Sequence, residues 1–522
     1  MSTDHEEVMC MYPGKWAETT PDKPAVIMAD TGETLTYAEL EDRSLRLANH
    51  FRALGLQPGD HVAMIAENRM EIIEAYWAAL RSGTFITVVN QHLTPAESSY
   101  IIHDCDASVV LISTGLKPAQ ELNEECADIP HRIAVGGPLP GAEEYEAVLA
   151  AAGPERPDHE PRGDDMLYSS GTTGRPKGIL PTLKDQTVES ENVPLIQLFT
   201  ALYGFGEDTV YLSPAPLYHA APIRFVMTTH ARGGTVIVMP KFDAETALGL
   251  IEEHGVTHSQ WVPTMFIRML KLPEEVREKY DVSSMRAAIH AAAPCPIEVK
   301  RGMIEWWGPV INEYYAATEA NGITVINSEE SLRKPGSVGR DGLMGIAHIC
   351  GPDGEELPPG EVGTIYFEPD PDKELFVYYK DEAKTAGTRH PVHERWTTIG
   401  DLGHLDEDRF LFMAERKSFL IITGGVNIYP QEVESELALH PDVKDVAVIA
   451  EPDEELGEIA VAYIEAEDHV RPGEDLAEQI RTWLADHVAR YKIPRKFYFI
   501  DEMPRTPTGK LVKRKLTEQA PA

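Results

Sequence analysis

A short segment, residues 168–180 with the sequence YSSGTTGRPKGIL, constrains this chain more than any other part of it. The segment combines three glycines, two serines, two threonines and a lysine. Glycines let a backbone turn tightly and bring its N–H groups close to an anion, and hydroxyl and ammonium groups add further donors. The composition therefore predicts a phosphate-binding loop, with candidate ligands Ser169, Ser170, Gly171, Thr172, Thr173, Gly174 and Lys177.

Two widespread phosphate-binding motifs do not match this loop. A Walker loop requires a Gly-Lys-Ser/Thr ending, whereas Lys177 follows Pro176 and precedes Gly178. The loop also lacks the G-x-G-x-x-G spacing of a dinucleotide-binding turn. A P-loop ATPase is therefore a poor fit, and other residues must define which phosphate compound is bound.

The pattern of apolar residues predicts a layered α/β fold for most of the chain. Residues 70–82 carry apolar side chains at helical spacing, and Gly83 favours the end of a helix. The order strand, helix, strand is typical of a parallel α/β unit, and it is predicted for residues 236–239, 244–253 and 257–262. Further short strands are predicted at residues 287–290 and 310–314.

The pattern changes after about residue 415, which indicates a second domain. Strands are predicted at residues 419–425, 443–453, 458–466 and 496–501, and helices at residues 429–440 and 474–491. We therefore predict an α/β protein with a large N-terminal domain of layered α/β subdomains, residues 1–416. A small α+β C-terminal domain, residues 417–522, follows it.

Charge and cysteine content exclude several classes of partner. The net charge of −38 disfavours nucleic acid and anionic membranes. Five scattered cysteines without a C-x-x-C pair argue against disulfides and zinc, and fit a reducing cytosol. The sequence has neither a signal-peptide pattern nor about 18 consecutive apolar residues, so we expect a cytoplasmic protein without membrane insertion.

Six further motifs, one before the loop and five after it, occur in a fixed order along the chain and point to a family. They are LTYAEL at 35–40, APLYHAAP at 215–222, NEYYAATEANG at 312–322, WTTIGDLG at 396–403, ERKSFLIITGGVNIYPQEVE at 415–434 and PRTPTGKLVKR at 504–514. Together with the loop, they resemble the motifs of the adenylate-forming superfamily: acyl-CoA synthetases, adenylation domains of peptide synthetases, and luciferases. The resemblance spans nearly the whole chain and is closest to the acyl-CoA ligases.

This resemblance implies a reaction in two steps. A carboxylic acid attacks the α-phosphate of ATP, giving an acyl-adenylate and pyrophosphate. The C-terminal domain then rotates about a hinge, and the thiol of coenzyme A displaces AMP. The implied cofactors are ATP, Mg²⁺ and coenzyme A, and the implied partners are a small-molecule acid and either coenzyme A or a carrier protein acting in trans.

The resemblance also implies a role for each matching residue. Glu319 binds Mg²⁺, Thr318 contacts the α-phosphate, and Lys510 bridges the attacking carboxylate and the α-phosphate, where a cation lowers the barrier between two anions. His219 lies between the acid pocket and the thiol route and completes the catalytic set. The remaining cofactor contacts are Tyr315, Ala292, Ala293 and Pro294 for adenine, Asp401 and Arg416 for ribose, and Gly424 and Gly425 for the pantetheine arm.

The acid pocket is the part of the site that the motifs define least. The matching positions are His219, Ile223, Arg224, Trp261, His290, Ala316 and Ala320. Ala316 stands where many members have glycine, so its methyl group narrows the pocket. With Trp261 and the histidines closing the other side, we expect a medium or aromatic acid rather than a long-chain one.

The sequence is also compatible with a second function on the same fold. Some close relatives of these ligases are diazotases, which use ATP to activate nitrite for attack by an aryl amine. Lys177, Glu319 and Lys510 would serve both reactions, because nitrite is also a small anion that attacks the α-phosphate. A non-catalytic nucleotide-binding relative is disfavoured because these three residues and Asp401 are all present.

Overall fold

The computed structural model describes residues 12–169, 176–414, 421–423, 426–428, 430–453, 456–505, 511 and 515–516. The strands before residue 415 are Pro24–Met28 (β1), Thr34–Thr36 (β2), His61–Ile65 (β3), Phe85–Val89 (β4), Ala107–Ser113 (β5), His131–Val135 (β6), Glu143–Glu144 (β7), Asp164–Asp165 (β8), Leu167–Ser169 (β9), Lys177–Leu180 (β10), Val210–Ser213 (β11), Thr235–Val238 (β12), His258–Trp261 (β13), Ala287–His290 (β14), Ile311–Ala316 (β15), Ile323–Ile326 (β16), Ser337–Arg340 (β17), Ile346–Cys350 (β18), Gly363–Glu368 (β19), Val377–Tyr378 (β20), Leu402–Leu405 (β21) and Phe410–Ala414 (β22).

The helices of the same part cover these strands. They are Gly14–Thr19 (α1), Tyr37–Ala53 (α2), Met70–Ser82 (α3), Pro95–Asp104 (α4), Ala119–Glu125 (α5), Tyr145–Ala151 (α6), Pro194–Tyr203 (α7), Ala220–Ala231 (α8), Ala244–His254 (α9), Pro263–Leu270 (α10), Glu274–Arg277 (α11), Ile297–Trp307 (α12), Ser328–Arg333 (α13) and Glu382–Ala386 (α14). The C-terminal part contains Ile421–Thr423 (β23), Val426–Ile428 (β24), Pro430–Leu437 (α15), Val443–Asp453 (β25), Gly457–Ala466 (β26), Glu474–His487 (α16) and Lys496–Phe499 (β27).

Two large sheets organise the N-terminal part. Within the described ranges, the first has thirteen strands in the order β18-β19-β21-β22-β17-β16-β15-β14-β13-β11-β12-β1-β2. The central strands of this sheet, in the order β15-β14-β13-β11-β12-β1, run parallel to one another. The second is a parallel sheet in the order β7-β6-β5-β3-β4-β8, and a small antiparallel sheet, β20-β10-β9, carries Lys177 at the start of β10.

The C-terminal part forms a separate sheet in the order β24-β23-β26-β25, with β27 beside β26. Helices α15 and α16 cover it, and their apolar faces share one core with the sheet. Lys271 at the end of α10 donates to the carbonyl of Val443, so this sheet touches the N-terminal part. In the described part of the chain, no helix combines the length and the apolar composition that a bilayer crossing requires.

The structure confirms the predicted layered α/β fold with a smaller second domain. Helix α3 covers residues 70–82 as expected, and Gly83 ends it with a φ of 77°, a left-handed conformation that glycine adopts without strain. The unit predicted at residues 236–262 appears as β12, α9 and β13. Its two strands are parallel members of one sheet, but β11 lies between them, because a strand from earlier in the chain completes the pairing.

The two faces of the central parallel strands enter different cores. Side chains alternate along a strand, so neighbouring residues of β14 point to opposite faces. Ile289 belongs to the core that contains Ile223 and Phe225 of α8, whereas Ala288 belongs to the core beneath α12. The sheet therefore has an α8 side and an α12 side, and a side chain on one cannot line a pocket on the other.

Candidate active site

The predicted adenine and ribose ligands meet at the carboxyl edge of the central sheet. Tyr315, near the end of β15, donates its hydroxyl to Oδ2 of Asp401 at 2.9 Å. Asp401 directly precedes β21, and its carbonyl accepts from the amide of Ile365 at 2.9 Å. Ligands of α/β sheets bind at this edge, where parallel strands end together. Two residues 86 positions apart in the sequence thus form one polar contact at the expected place.

Glu319 lies in the turn after β15 and is held by a residue that sequence reasoning missed. The hydroxyl of Tyr378, in β20, donates to Oε1 of Glu319 at 2.8 Å. Burial and then the nearby Glu319 raise the pKa of Tyr378, so the phenol stays protonated and can donate. Because β20 pairs with β10, this contact joins Glu319 to the sheet that carries the predicted phosphate loop.

Lys177 stands at the start of β10 and is paired with a carboxylate. Its Nζ lies 3.0 Å from Oδ2 of Asp381, and this hydrogen bond raises the pKa of Lys177. Asp381 also accepts from the amide of Lys384 and so caps α14. The lysine is therefore a charged donor at the start of the central strand of the small sheet. Ser170, Gly171, Thr172, Thr173 and Gly174 lie outside the described residues, and so does the side chain of Ser169.

The predicted adenine wall follows β14 directly. Ala292 and Pro294 are exposed and Ala293 is half-buried. Ala292 has a φ of 76°, in the left-handed region that alanine enters only at a cost of about 1–2 kcal/mol. Such strain clusters at functional sites, because the surrounding structure must hold the residue in place. This segment thus offers a fixed, solvent-facing surface beside Tyr315.

His219 directly precedes α8 and is half-buried, with its Nε2 atom fully enclosed. Burial, followed by the nearby His92, lowers the pKa of His219 to about 3, so its ring is neutral at physiological pH. Its Nε2 has no hydrogen-bond partner among the described residues. A neutral imidazole there can orient a substrate by hydrogen bonding, but it does not supply a positive charge.

The structure corrects the predicted lining of the acid pocket, because the two faces of the sheet pack against different helices. Ile223 and Ala316 lie on the α8 side, as expected for one pocket. Trp261 and His290 are register partners on neighbouring strands, and both lie on the α12 side. Trp261 is fully buried between Phe266 and Trp307. The prediction that all these residues line one pocket is wrong for Trp261 and His290, because strand alternation turns both side chains away.

Two other predicted pocket residues have defined contacts of their own. Arg224 forms a two-pronged ion pair with the buried Asp165, with Nη2–Oδ1 at 2.6 Å and Nε–Oδ2 at 3.0 Å. Tyr76 donates to the same carboxylate at 2.6 Å. Ala320 is exposed with a φ of 49°, and its carbonyl accepts from Lys373. Arg224 therefore acts within a paired cluster rather than as a single charge facing the acid.

A buried charge cluster on the α12 side was not predicted. Lys300 of α12 is ion-paired with Glu313 of β15, and both side chains are buried. Nδ1 of His290 lies 3.9 Å from Oε1 of Glu313, and burial and then Lys300 hold the pKa of His290 well below its usual range. The cluster therefore links α12 to β14 and β15, close to the residues of these strands that are predicted to contact adenine.

The remaining predicted residues are one described threonine and four residues of the C-terminal motifs. Thr318 is half-buried in the same turn as Glu319. Arg416, Gly424, Gly425 and Lys510 lie outside the described residues.

Comparisons with known proteins show the family of this chain. The chain matches the family model of the AMP-binding enzyme over residues 14–369, and that of the AMP-binding enzyme C-terminal domain over residues 432–510. A long-chain-fatty-acid–CoA ligase of Mycobacterium tuberculosis is 32% identical over 506 residues, 96% of each chain. A feruloyl-CoA synthase of Amycolatopsis sp is 33% identical over 508 residues, 96% of this chain and 97% of the relative.

A solved structure shows the same fold. The o-succinylbenzoate CoA synthetase of Bacillus subtilis, in complex with its acyl-adenylate intermediate, superposes with a TM-score of 0.77 at 26% identity. The match covers 97% of this chain and 98% of that one. The family matches, the full-length relatives and the shared fold confirm the resemblance read from the motifs, and the chain belongs to the AMP-binding enzymes of the adenylate-forming superfamily.

Proposed function

We propose that this enzyme is an ATP-dependent carboxylic acid–CoA ligase that forms an acyl-adenylate and then an acyl-CoA. The observation that carries the proposal is the meeting of Tyr315 with Asp401 and of Glu319 with Tyr378 at one edge of the sheet. The first pair suits a nucleoside, and the second offers a carboxylate oxygen, the ligand that Mg²⁺ prefers. The named relatives, which are CoA ligases, support the same reaction class.

Within this proposal, the residues divide the work of the first step. Tyr315 and the wall at Ala292 bind adenine, and Asp401 and Arg416 take the ribose hydroxyls. Glu319 holds Mg²⁺ on the phosphates, and Lys177 leaves Asp381 to bind the pyrophosphate end. Bound magnesium would offset the negative charge of the phosphates. The neutral His219 orients the acid, and Lys510 offsets the charge that develops as carboxylate and phosphate approach.

The proposed acceptor is coenzyme A, and a groove in the C-terminal domain supports this choice. The groove has a volume of about 840 Å³ and lies between the end of α16 and β23. Arg490, Tyr491 and Arg495 line it, and Tyr491 is 50% exposed. Guanidinium groups suit phosphates and an exposed phenol ring suits stacking on a base. In a chain of net charge −38, such a local basic surface is what an anionic acceptor requires.

One residue that lines the groove is next in sequence to the predicted pantetheine contact. Thr423 lines it and directly precedes Gly424 and Gly425. Phosphates bound by the arginines would thus lie beside the turn expected to hold the pantetheine arm. This placement fits a C-terminal domain, residues 417–522, that rotates between the two steps and brings the thiol to the adenylate.

The proposal is tested by a substrate screen that follows AMP and products by mass spectrometry. The protein is incubated with Mg-ATP and short, medium, long-chain and aromatic acids, with and without coenzyme A, and in parallel with nitrite and aryl amines. We expect an acyl-CoA that requires both an acid and coenzyme A, with medium or aromatic acids preferred. AMP formed only with nitrite, whether or not coenzyme A is present, would overturn the proposal in favour of a diazotase.

The contact between Tyr315 and Asp401 leads to a separate prediction. Tyr315→Phe keeps the ring for adenine but removes the hydroxyl that fixes the carboxylate, so the KM for ATP should rise about 3–10-fold. The kcat should change little, because the lost contact acts on binding rather than on the transition state. Initial rates at varied ATP concentration measure both. A large loss of kcat at unchanged KM would show that the hydroxyl acts in the chemical step.

A further inference from the structure

A short segment outside the predicted motifs, residues 377–385, contacts both the proposed magnesium ligand and the proposed pyrophosphate lysine. Its strand β20 pairs antiparallel with β10, which begins at Lys177. Tyr378 of β20 donates to Glu319, and Asp381, three residues further on, pairs with Lys177. One segment therefore sets the position of a magnesium ligand and of a phosphate-binding cation relative to each other.

The carboxylate of Asp381 is fixed independently of Lys177. Its Oδ1 accepts from the amide of Lys384 at 3.0 Å and caps α14, while its Oδ2 lies 3.0 Å from Nζ of Lys177. The preceding residue, Lys380, has a φ of 55°, in the left-handed region that a lysine enters only under constraint. Its Nζ lies 2.7 Å from Oδ1 of Asp106, in the turn between α4 and β5, and this ion pair holds the backbone there. The carboxylate therefore stays in place when its lysine partner moves away.

The pair between Lys177 and Asp381 is one that a more highly charged anion can break. The two side chains remain 29% and 23% exposed, so water screens their attraction. In the described part of the chain, no second acidic side chain lies within ion-pair distance of Lys177. The ammonium group stands on a flexible four-carbon stem and can reach a neighbouring ligand. Pyrophosphate carries several negative charges and so replaces the single charge of Asp381 as its partner.

We propose that Asp381 competes with pyrophosphate for Lys177: it holds the ammonium group in the free enzyme and takes it back when pyrophosphate leaves. The inference rests on the proposed ligase function and adds a positioning residue for the release of its first product. A ligand binds with lower apparent affinity when part of the protein is held in a state that cannot accept it. Once Lys177 has moved, the fixed carboxylate also repels the negative charges of the ligand. Both effects weaken the binding of pyrophosphate, which favours the forward reaction.

Asp381→Asn tests this proposal, because it removes the charge and keeps the cap of α14. Asparagine caps a helix about as well as aspartate does, so the segment should keep its fold. Calorimetric titration of the full chain with magnesium pyrophosphate, without acid or coenzyme A, measures the Kd. We expect the Kd to fall about 3–10-fold in the variant. In the acyl-CoA assay, the pyrophosphate concentration for half-maximal inhibition should fall by a similar factor.

Two further variants show whether the effect acts through Lys177. Asp243→Asn makes the same exchange at the cap of α9, where the aspartate accepts from the amide of Thr246 at 2.9 Å and forms no ion pair with another described residue. This control should leave the Kd for pyrophosphate unchanged. Lys177→Gln should weaken pyrophosphate binding, and adding Asp381→Asn to it should change the Kd by less than about twofold, because the competition requires the lysine. A gain of the same size without the lysine would show a general charge effect and would overturn the proposal.

The failure of this inference and the failure of the ligase function give different results. If no carboxylic acid yields AMP, the ligase function is removed and this inference with it. If acids yield AMP but Asp381→Asn leaves the Kd for pyrophosphate unchanged, the pair takes no part in product release and this inference alone is overturned. Weaker pyrophosphate binding in Asp381→Asn would show that the carboxylate holds Lys177 ready for the ligand rather than competing with it, and would also overturn the proposal.

Discussion

Replacing Glu319 by glutamine should lower acid-dependent ATP–pyrophosphate exchange by about 10²–10³-fold. The amide keeps the shape of the side chain and can still accept from Tyr378, so the turn after β15 should stay in place. It lacks the negative charge that a hard cation requires of its ligand. The Mg²⁺ concentration for half-maximal exchange should therefore rise in the variant. Exchange measured over a Mg²⁺ titration, with circular dichroism to check folding, tests this prediction.

Two further variants separate the roles in this contact. Tyr378→Phe removes the hydroxyl that donates to Glu319 but keeps the carboxylate. The exchange rate should therefore fall less, by about tenfold, and the Mg²⁺ concentration for half-maximal exchange should rise less. Glu329→Gln changes an exposed carboxylate on α13 by the same chemistry, and it should leave exchange unaltered. Near wild-type exchange and an unchanged Mg²⁺ titration in Glu319→Gln would contradict the assignment of Glu319 as the magnesium ligand.

Local sequence patterns predicted the elements of this fold well because those elements are locally determined. Helix α3 has its apolar spacing and its terminal glycine within one segment, and strand β25 matches its predicted bounds at residues 443–453. Motif matching likewise placed Tyr315 and Asp401 in one site, and they touch. The sequence signal could not supply the strand order, since the place of β11 between β12 and β13 depends on pairing between distant segments.

The errors and omissions in the site have the same origin. Trp261 and His290 were assigned to the acid pocket by motif position, but the direction of a side chain depends on which face of its strand meets which helix. Tyr378 was missed because it lies 59 residues from Glu319, in a two-residue strand without a motif of its own.

The second large effect is expected in the C-terminal groove. Replacing both Arg490 and Arg495 by glutamate should lower kcat/KM for coenzyme A by about 100-fold. Neither side chain has a hydrogen bond or ion pair to another described residue, whereas Arg481 in the same groove is already paired with Glu478. The two free guanidinium groups are thus the donors left for phosphates. Steady-state rates at varied coenzyme A concentration measure the change.

The same variant should leave acid-dependent ATP–pyrophosphate exchange within about twofold of wild type, because the proposed adenylation site lies at the carboxyl edge of the large sheet and not in the groove. Arg471→Glu is the control, since it makes the same substitution at one exposed arginine outside the groove. Dephospho-coenzyme A sharpens the test: wild type should prefer coenzyme A, and the double variant should lose that preference if the arginines bind the extra phosphate. If the exchange rate falls together with the kcat/KM for coenzyme A, the groove acts in the first step instead. If the kcat/KM for coenzyme A is unchanged, the groove does not bind coenzyme A.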